Sequence, residues 1–161
     1  MPPRERSEKE EEDNLPKRAH RDAKRGPGFS FFSHDADVGI DADGKTLGEA
    51  FVNAARATFS LMADPDSVKP RIKVEIVFTE EDPELALVEW INRLLSEASL
   101  RRMVFGRFRV ERVGGEIRGQ AGGEPWTGRH SRGTEVKGAT LTALSVTPSP
   151  EGFRVRLVVD V

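Results

Sequence analysis

The chain has 161 residues, of which 37% are hydrophobic and 32% charged, and its formal net charge at pH 7 is −2. This length suits one domain of ordinary size. The absence of cysteine excludes disulfides, thiolate metal sites and a cysteine nucleophile. The small net charge disfavours sequence-specific nucleic-acid binding as the main task. No apolar run approaches the ~18 residues that a membrane span needs, so we expect a cytoplasmic protein with no membrane partner.

The first 28 residues are rich in charges of both signs, and Leu15 is their only large aliphatic side chain after Met1. Such a segment cannot bury enough apolar surface to offset the entropy of ordering it. We therefore predict a disordered charged tail over residues 1–28 and one folded domain over residues 29–161. The basic half of the tail, residues 17–25, could contact RNA or an acidic partner, although a solvated linker is the favoured interpretation.

Hydrophobic periodicity predicts three strands and two helices in the first part of the domain. Short strands are expected over residues 29–33 and 38–42, and Ile72, Val74, Ile76 and Phe78 alternate as in a half-buried strand. Thr46 and Glu49 have capping-box spacing, which predicts a helix over residues 46–62. Asp82-Pro83 begins a second amphipathic helix.

The remainder of the chain has a β pattern. Strands are predicted over residues 104–113 and 116–121 around a Gly114-Gly115 turn, and over residues 135–147 and 152–161. Residues 122–134, with four glycines and a proline, are typical of a mobile loop. The fold class is α+β: a single domain with two helices packed on a largely antiparallel β-sheet.

An acidic stretch over residues 34–44 is the densest group of candidate ligands. With Gly44 at the sixth position of a calcium loop, Gly39 and Ala50 would stand where the first and twelfth positions need ligands, so an EF-hand is excluded. Asp35 and Asp37 lie two apart on an expected extended segment, which places both carboxylates on one side. With His34 they could bind a hard cation, or be ordinary strand-end polarity.

The chain ends in an apolar strand followed by Asp160 and Val161, so a side-chain carboxylate and the terminal carboxylate lie together. A hairpin turn centred near residue 150 would place Asp160 opposite Ala139 and beside Lys137 on the same face. An ordinary cross-strand ion pair is the favoured interpretation on spacing alone. His130, in the expected loop, would usually be a solvated side chain.

Several segments, taken together and in order, resemble the archease family over residues 29–161. No single motif is decisive, but the ordered set is specific. The segments are His34–Ile40, Gly44–Ala55, Trp90–Leu95, Gly123–Pro125 with Arg129-His130, Glu135–Thr140, and Val159-Asp160-Val161.

The resemblance implies a non-enzymatic activator of an RtcB-type tRNA-splicing RNA ligase, which promotes guanylylation and multiple turnover and meets RNA only indirectly. It also implies a divalent metal, Ca²⁺ first and Mg²⁺ or Mn²⁺ otherwise. The metal ligands would be Asp37, Asp160 and Val161, and Lys137 would also be important. All-oxygen ligands suit these hard cations. Additional candidate site residues are Asp35, His34 and His130.

This sequence departs from the family pattern at Asp35, where a threonine is usual, at Leu141-Thr142, where Tyr-His is common, and at Thr127, where an aspartate is common. Two other classes of function stay open. One is a metal-dependent hydrolase built on His34, Asp35 and Asp37, although the sequence shows no complete constellation for it. The other is a chaperone-like module that binds RNA or protein through the basic half of the tail.

Overall fold

The computed structural model describes Leu15 and residues 28–161, which form two antiparallel sheets and two long helices. A short 3-10 turn, Pro65–Ser67, follows the first helix. In chain order the elements are β1 (Phe29–His34), β2 (Asp37–Gly44), α1 (Leu47–Met62), β3 (Ile72–Thr79), α2 (Pro83–Arg101), β4 (Met103–Val113), β5 (Glu116–Pro125), β6 (Gly138–Ser149) and β7 (Gly152–Asp160).

The predicted α+β class is confirmed, but the strands form two sheets where one was expected. The four-stranded sheet has the order β1-β2-β7-β6, and the three-stranded sheet has the order β3-β5-β4. Alternation along a sequence identifies strands without showing which edges pair, so the division into two sheets was not visible in it. The order of the larger sheet matters for function, because it places the second strand of the chain beside the last.

Both helices begin where the sequence predicted. The Thr46 hydroxyl accepts a hydrogen bond from the Glu49 N–H at 3.1 Å. The Glu49 carboxylate accepts from the Lys45 N–H at 3.1 Å, one residue before the donor that a standard capping box would use. The Asp82 carboxylate caps α2 by accepting from the N–H groups of Glu84 and Leu85. Local side-chain chemistry thus fixes both helix starts.

The core lies between the helices and the inner faces of the two sheets. Helix α1 packs on β2, β4 and β7, whereas α2 packs mainly on β6. Trp90 is fully buried, and its indole N–H donates to the Phe51 carbonyl at 3.1 Å, which joins the two helices. Its ring lies against Gly119, where an added Cβ would come within 2.3 Å of it. No helix of the described residues is long and apolar enough to cross a membrane.

The predicted start of the mobile loop needs correction. Strand β5 continues to Pro125 and so includes two of the glycines assigned to the mobile loop. An added Cβ at Gly123 would lie 2.0 Å from the Val104 carbonyl oxygen, so this glycine permits close strand pairing rather than a loop. The predicted tail lies outside the described residues apart from Leu15 and Gly28. Leu15 is partly buried and packs against the main core.

Candidate functional site

Three candidate residues occupy neighbouring strand positions at one end of the four-stranded sheet. His34 pairs with Asp37 across β1 and β2. Val38 pairs with Val159 across β2 and β7, so the next position in that register sets Asp37 opposite Asp160. Directly opposite residues share a face, with Cβ atoms about 4.5–5.5 Å apart. The register therefore aligns two carboxylates and an imidazole across three strands.

This row lies on the sheet face that points away from the helices. On that face, Asp41 forms a bidentate pair with Arg156, with N–O distances of 2.7 and 2.9 Å. Asp43 forms a 2.9 Å hydrogen bond with Arg154. The pKa values of both arginines are raised, because each guanidinium donates to a carboxylate. Asp41 and Asp43 are therefore occupied by cross-strand partners within the sheet.

Asp37 and Asp160 differ from those paired aspartates. Asp160 is exposed and Asp37 is partly exposed. Within residues 28–161, neither carboxylate forms a hydrogen bond or an ion pair with another described side chain. Carboxylates at directly opposite strand positions on one face are close enough to bind the same cation. This end of the sheet is therefore the part of the acidic stretch that is open to a ligand.

The predicted alignment of Asp35 with Asp37 is wrong. Asp35 and Ala36 form the tight turn between β1 and β2, and Asp35 adopts a left-handed backbone with φ of 52°. The Asp35 side chain is 90% exposed, and one of its oxygens lies 3.9 Å from His34 Nδ1. Alternation along an extended strand therefore does not place Asp35 beside Asp37. His34, at the strand end, keeps its position in the row.

The predicted pairing of Asp160 with Ala139 is wrong by one residue. Asp160 pairs with Gly138, because the β6–β7 register shifts between Thr140 and Ser145. A one-residue slip reverses the face of every side chain, so strand alternation does not set Lys137 on the face of Asp160. The Lys137 N–H donates to the Asp160 carbonyl at 2.8 Å, but no ion pair joins these two side chains.

Asn92, which the sequence reasoning did not single out, fixes the start of β6. Its Oδ1 accepts from the Ala139 N–H at 2.8 Å, and its Nδ2 donates to the Ala139 carbonyl at 3.3 Å. This bidentate contact joins α2 to the strand that begins beside Asp160. The sequence feature that could have identified Asn92 is its polar side chain within the helical segment Trp90–Leu95, one of the segments that resemble the archease family.

A second polar cluster surrounds Glu124, which is only 3% exposed. Its carboxylate accepts from the Lys69 N–H at 2.6 Å and from the Arg129 guanidinium at 2.7 Å. The other oxygen of this carboxylate, which accepts from Lys69, also lies 3.1 Å from His130 Nε2. These bonds lower the pKa of Glu124 from 4.5 to about 2, with the Lys69 N–H contributing most and burial opposing the shift.

His130 is therefore not the solvated loop side chain that the sequence suggested. Its side chain is fully buried. The Thr127 N–H donates to His130 Nδ1 at 3.0 Å, which places the ring proton on Nε2, where it is donated to Glu124. Both ring nitrogens are thus already engaged within the protein, and in this arrangement neither is available to a metal.

The side-chain carboxylates at the sheet end are oxygen donors of the type that hard cations prefer. No three His, Asp or Glu side chains of the described residues come together as a metal-binding group. Two side-chain carboxylates, from Asp37 and Asp160, are what this end offers among the described residues. Val161 is partly buried and packs against the core, which restrains that end of the chain. Such a donor set fits a hard divalent cation that keeps several waters.

Known proteins are similar to this chain in sequence. A profile of the Archease protein family matches residues 29–161. Protein archease of Saccharolobus islandicus is 40% identical over 136 residues, covering 83% of this chain and 98% of the relative. Protein archease of Sulfolobus acidocaldarius is 35% identical, with the same coverage of both chains.

Two solved structures are similar as well. The solution structure of a Methanobacterium thermoautotrophicum protein has a TM-score of 0.73 and 30% identity, covering 83% of this chain and 99% of that one. A crystal structure of a Thermotoga maritima archease, described as a possible chaperone, has a TM-score of 0.57. That second protein is 20% identical and covers 86% of this chain and 98% of its own, so it supports the fold alone. Family profile, curated relatives and fold agree: this chain belongs to the archease family.

Proposed function

We propose that this protein is a non-enzymatic cofactor that activates an RtcB-type tRNA-splicing RNA ligase. It would promote guanylylation of the ligase and support multiple turnover, and it would meet RNA only through that ligase. A divalent metal held by Asp37, Asp160 and the carboxylate of Val161 would carry this effect. Ca²⁺ is the first choice, with Mg²⁺ or Mn²⁺ as substitutes.

The observation that supports this proposal is the contrast between paired and unpaired aspartates on one sheet face. Asp41 and Asp43 are neutralised by Arg156 and Arg154. Asp37 and Asp160 lie at the end of the same two strands, β2 and β7, and have no such partner among the described residues. When bound, the cation would supply positive charge at an exposed edge of the protein. The two carboxylates would orient it there, where a partner's phosphate groups can reach it.

The stand-alone hydrolase fits the geometry less well. It requires His34, Asp35 and Asp37 around one metal, but Asp35 belongs to a turn and is almost fully exposed. The buried acid–base pair, Glu124 and His130, is already engaged in hydrogen bonds within the protein. A role as a cofactor of another protein needs no complete catalytic constellation on this chain.

The proposal is tested with the purified RtcB-type ligase from the same organism, GTP, divalent metal and a cleaved RNA. We expect the protein to raise ligase guanylylation and turnover over the ligase alone. Asp37→Asn and Asp160→Asn should each remove that gain. Asp43→Asn is the matched control, since it changes a carboxylate on the same face that is already paired. A ligase that gains nothing from the wild-type protein contradicts the proposal.

A further inference from the structure

A groove of about 1010 Å³ runs between the C-terminal half of α2 and the segment 126–137 that leads into β6. Asn92 and Arg102 both line it, and the helix between them spans about 15 Å at 1.5 Å per residue. The groove is therefore long and open, more like a seat for a chain segment than a closed cavity for a small molecule.

The floor of the groove is apolar. It is lined by the buried side chains of Leu95, Ala98, Met103 and Val136. At the rim, Leu100 is 81% exposed, the highest value among the exposed large hydrophobic residues of the described chain. An apolar floor beside an exposed leucine favours an occupant that brings apolar side chains of its own.

The rim carries an excess of positive charge. Arg102, Arg132 and Lys137 line the groove, against one acidic side chain, Glu135. None of these four forms an ion pair with another described residue. The two arginines within α2, by contrast, are paired. Arg93 pairs with Glu89 at 2.7 Å, and Arg101 pairs with Glu97 at 2.8 Å. Unpaired cations around an apolar floor favour an acidic occupant.

The groove adjoins the candidate metal site. Lys137 lines it and donates its backbone N–H to the Asp160 carbonyl at 2.8 Å. Asn92, which also lines it, holds the adjacent Ala139 backbone. A segment lying in this groove would therefore place the rest of its protein beside Asp37 and Asp160.

We infer that this groove docks an acidic segment with apolar side chains from the protein that the metal site acts on. This inference rests on the proposed function, so the partner is the RtcB-type ligase. A length of about 15 Å accommodates about four or five extended residues, or about ten helical ones. A polypeptide is favoured over single-stranded RNA, because Arg132 already covers the Trp126 ring, with its guanidinium carbon 4.1 Å from the ring centre.

The test measures the affinity of the purified ligase for variants of this protein by titration calorimetry, at low and at moderate salt. The double variant Arg102→Glu, Arg132→Glu should bind about tenfold more weakly or worse, with a weaker dependence on salt. Ser99→Trp should block the groove and weaken binding similarly, without a change of charge. Arg109→Glu is the control, because Arg109 is an exposed, unpaired cation on the other sheet. Metal affinity, measured without ligase, should stay at the wild-type value in all of them.

The outcomes separate this inference from the proposed function. If the wild-type protein activates the ligase and the groove variants bind it as tightly, the docking inference is overturned and the proposed function stands. If the wild-type protein neither binds nor activates the ligase, both fall. A labelled single-stranded RNA is titrated in parallel. Loss of RNA binding in the groove variants, with ligase binding intact, would make the groove a nucleic-acid site and overturn the inference.

Discussion

Two clusters of this protein contain carboxylates from segments that resemble the archease family, yet they differ in what they leave free. Around Glu124, donors from Lys69, Arg129 and His130 converge on one carboxylate, so its hydrogen bonds are already satisfied within the protein. At the sheet end, Asp37 and Asp160 lie at opposite strand positions, and no side chain of the described residues donates to either carboxylate. A motif marks both kinds of carboxylate alike, whereas the partners around each one distinguish a structural role from a binding role.

The comparison predicts opposite behaviour for matched substitutions: changes at the Glu124 cluster should cost stability, and changes at the sheet end should cost metal binding.

Glu124→Gln should lower the melting temperature more than either Asn92→Ala or Asp160→Asn. The amide brings N–H donors to a place where three donors already converge, and it leaves the Arg129 guanidinium without its carboxylate. Differential scanning calorimetry checks this, with exposed Glu135→Gln as the control. An unchanged melting temperature would mean that the cluster does not support the fold. Metal affinity of the variant below its melting temperature should equal that of the wild-type protein.

The same cluster should make stability depend on pH in the acid range. The folded-state pKa of Glu124 is lowered to about 2 from an ordinary 4.5, so the folded protein binds its proton less readily than the unfolded chain. Its stabilising contribution is therefore complete above about pH 4.5 and is lost as the pH falls towards 2. Urea unfolding at about pH 5 and about pH 3 should show a decline in the wild-type protein that is smaller in Glu124→Gln. Equal declines in the two proteins would contradict this assignment.

Asn92→Ala should destabilise the protein by about 1–3 kcal/mol, because it removes both hydrogen bonds to the Ala139 backbone at a partly buried position. Asn92→Asp is the informative companion. It keeps an acceptor for the Ala139 N–H but turns a second oxygen towards the Ala139 carbonyl, so it should not restore wild-type stability. Urea unfolding measures both variants. If Asn92→Asp equals the wild type, the contact to the carbonyl contributes nothing.

Asp160→Asn should leave stability within about 0.5 kcal/mol of the wild type, because the side chain is exposed and has no partner to lose among the described residues. Its effect should appear in metal binding, as an affinity roughly 10- to 100-fold weaker, since one of two side-chain carboxylates is gone. Titration calorimetry with Ca²⁺ measures this, and Asp43→Asn again serves as the control. A variant that keeps its metal affinity would remove Asp160 from the site.

Much of the secondary structure followed from the sequence because it depends on neighbours along the chain. Thr46 and Asp82 cap their helices as predicted, and Gly114-Gly115 turns the β4–β5 hairpin. The predicted start of the loop was wrong because Gly123 lies within a strand. Its missing side chain permits close pairing with another strand rather than a turn. A residue type alone cannot distinguish these two uses of glycine.

For the candidate site, too, one part was predicted from the sequence and another part was shown only by the structure. The sequence and its family resemblance singled out Asp37, Asp160 and Val161 as metal ligands, and their use of a metal stays a prediction. The pairing of β2 with β7, the register shift in β6, and the burial of His130 on Glu124 came only from the tertiary structure. Side-chain type and local spacing determine capping, turns and amphipathic faces over a few residues. Which carboxylates face each other, and which are already satisfied, depends on contacts between residues far apart in the chain, and only the folded structure decides those.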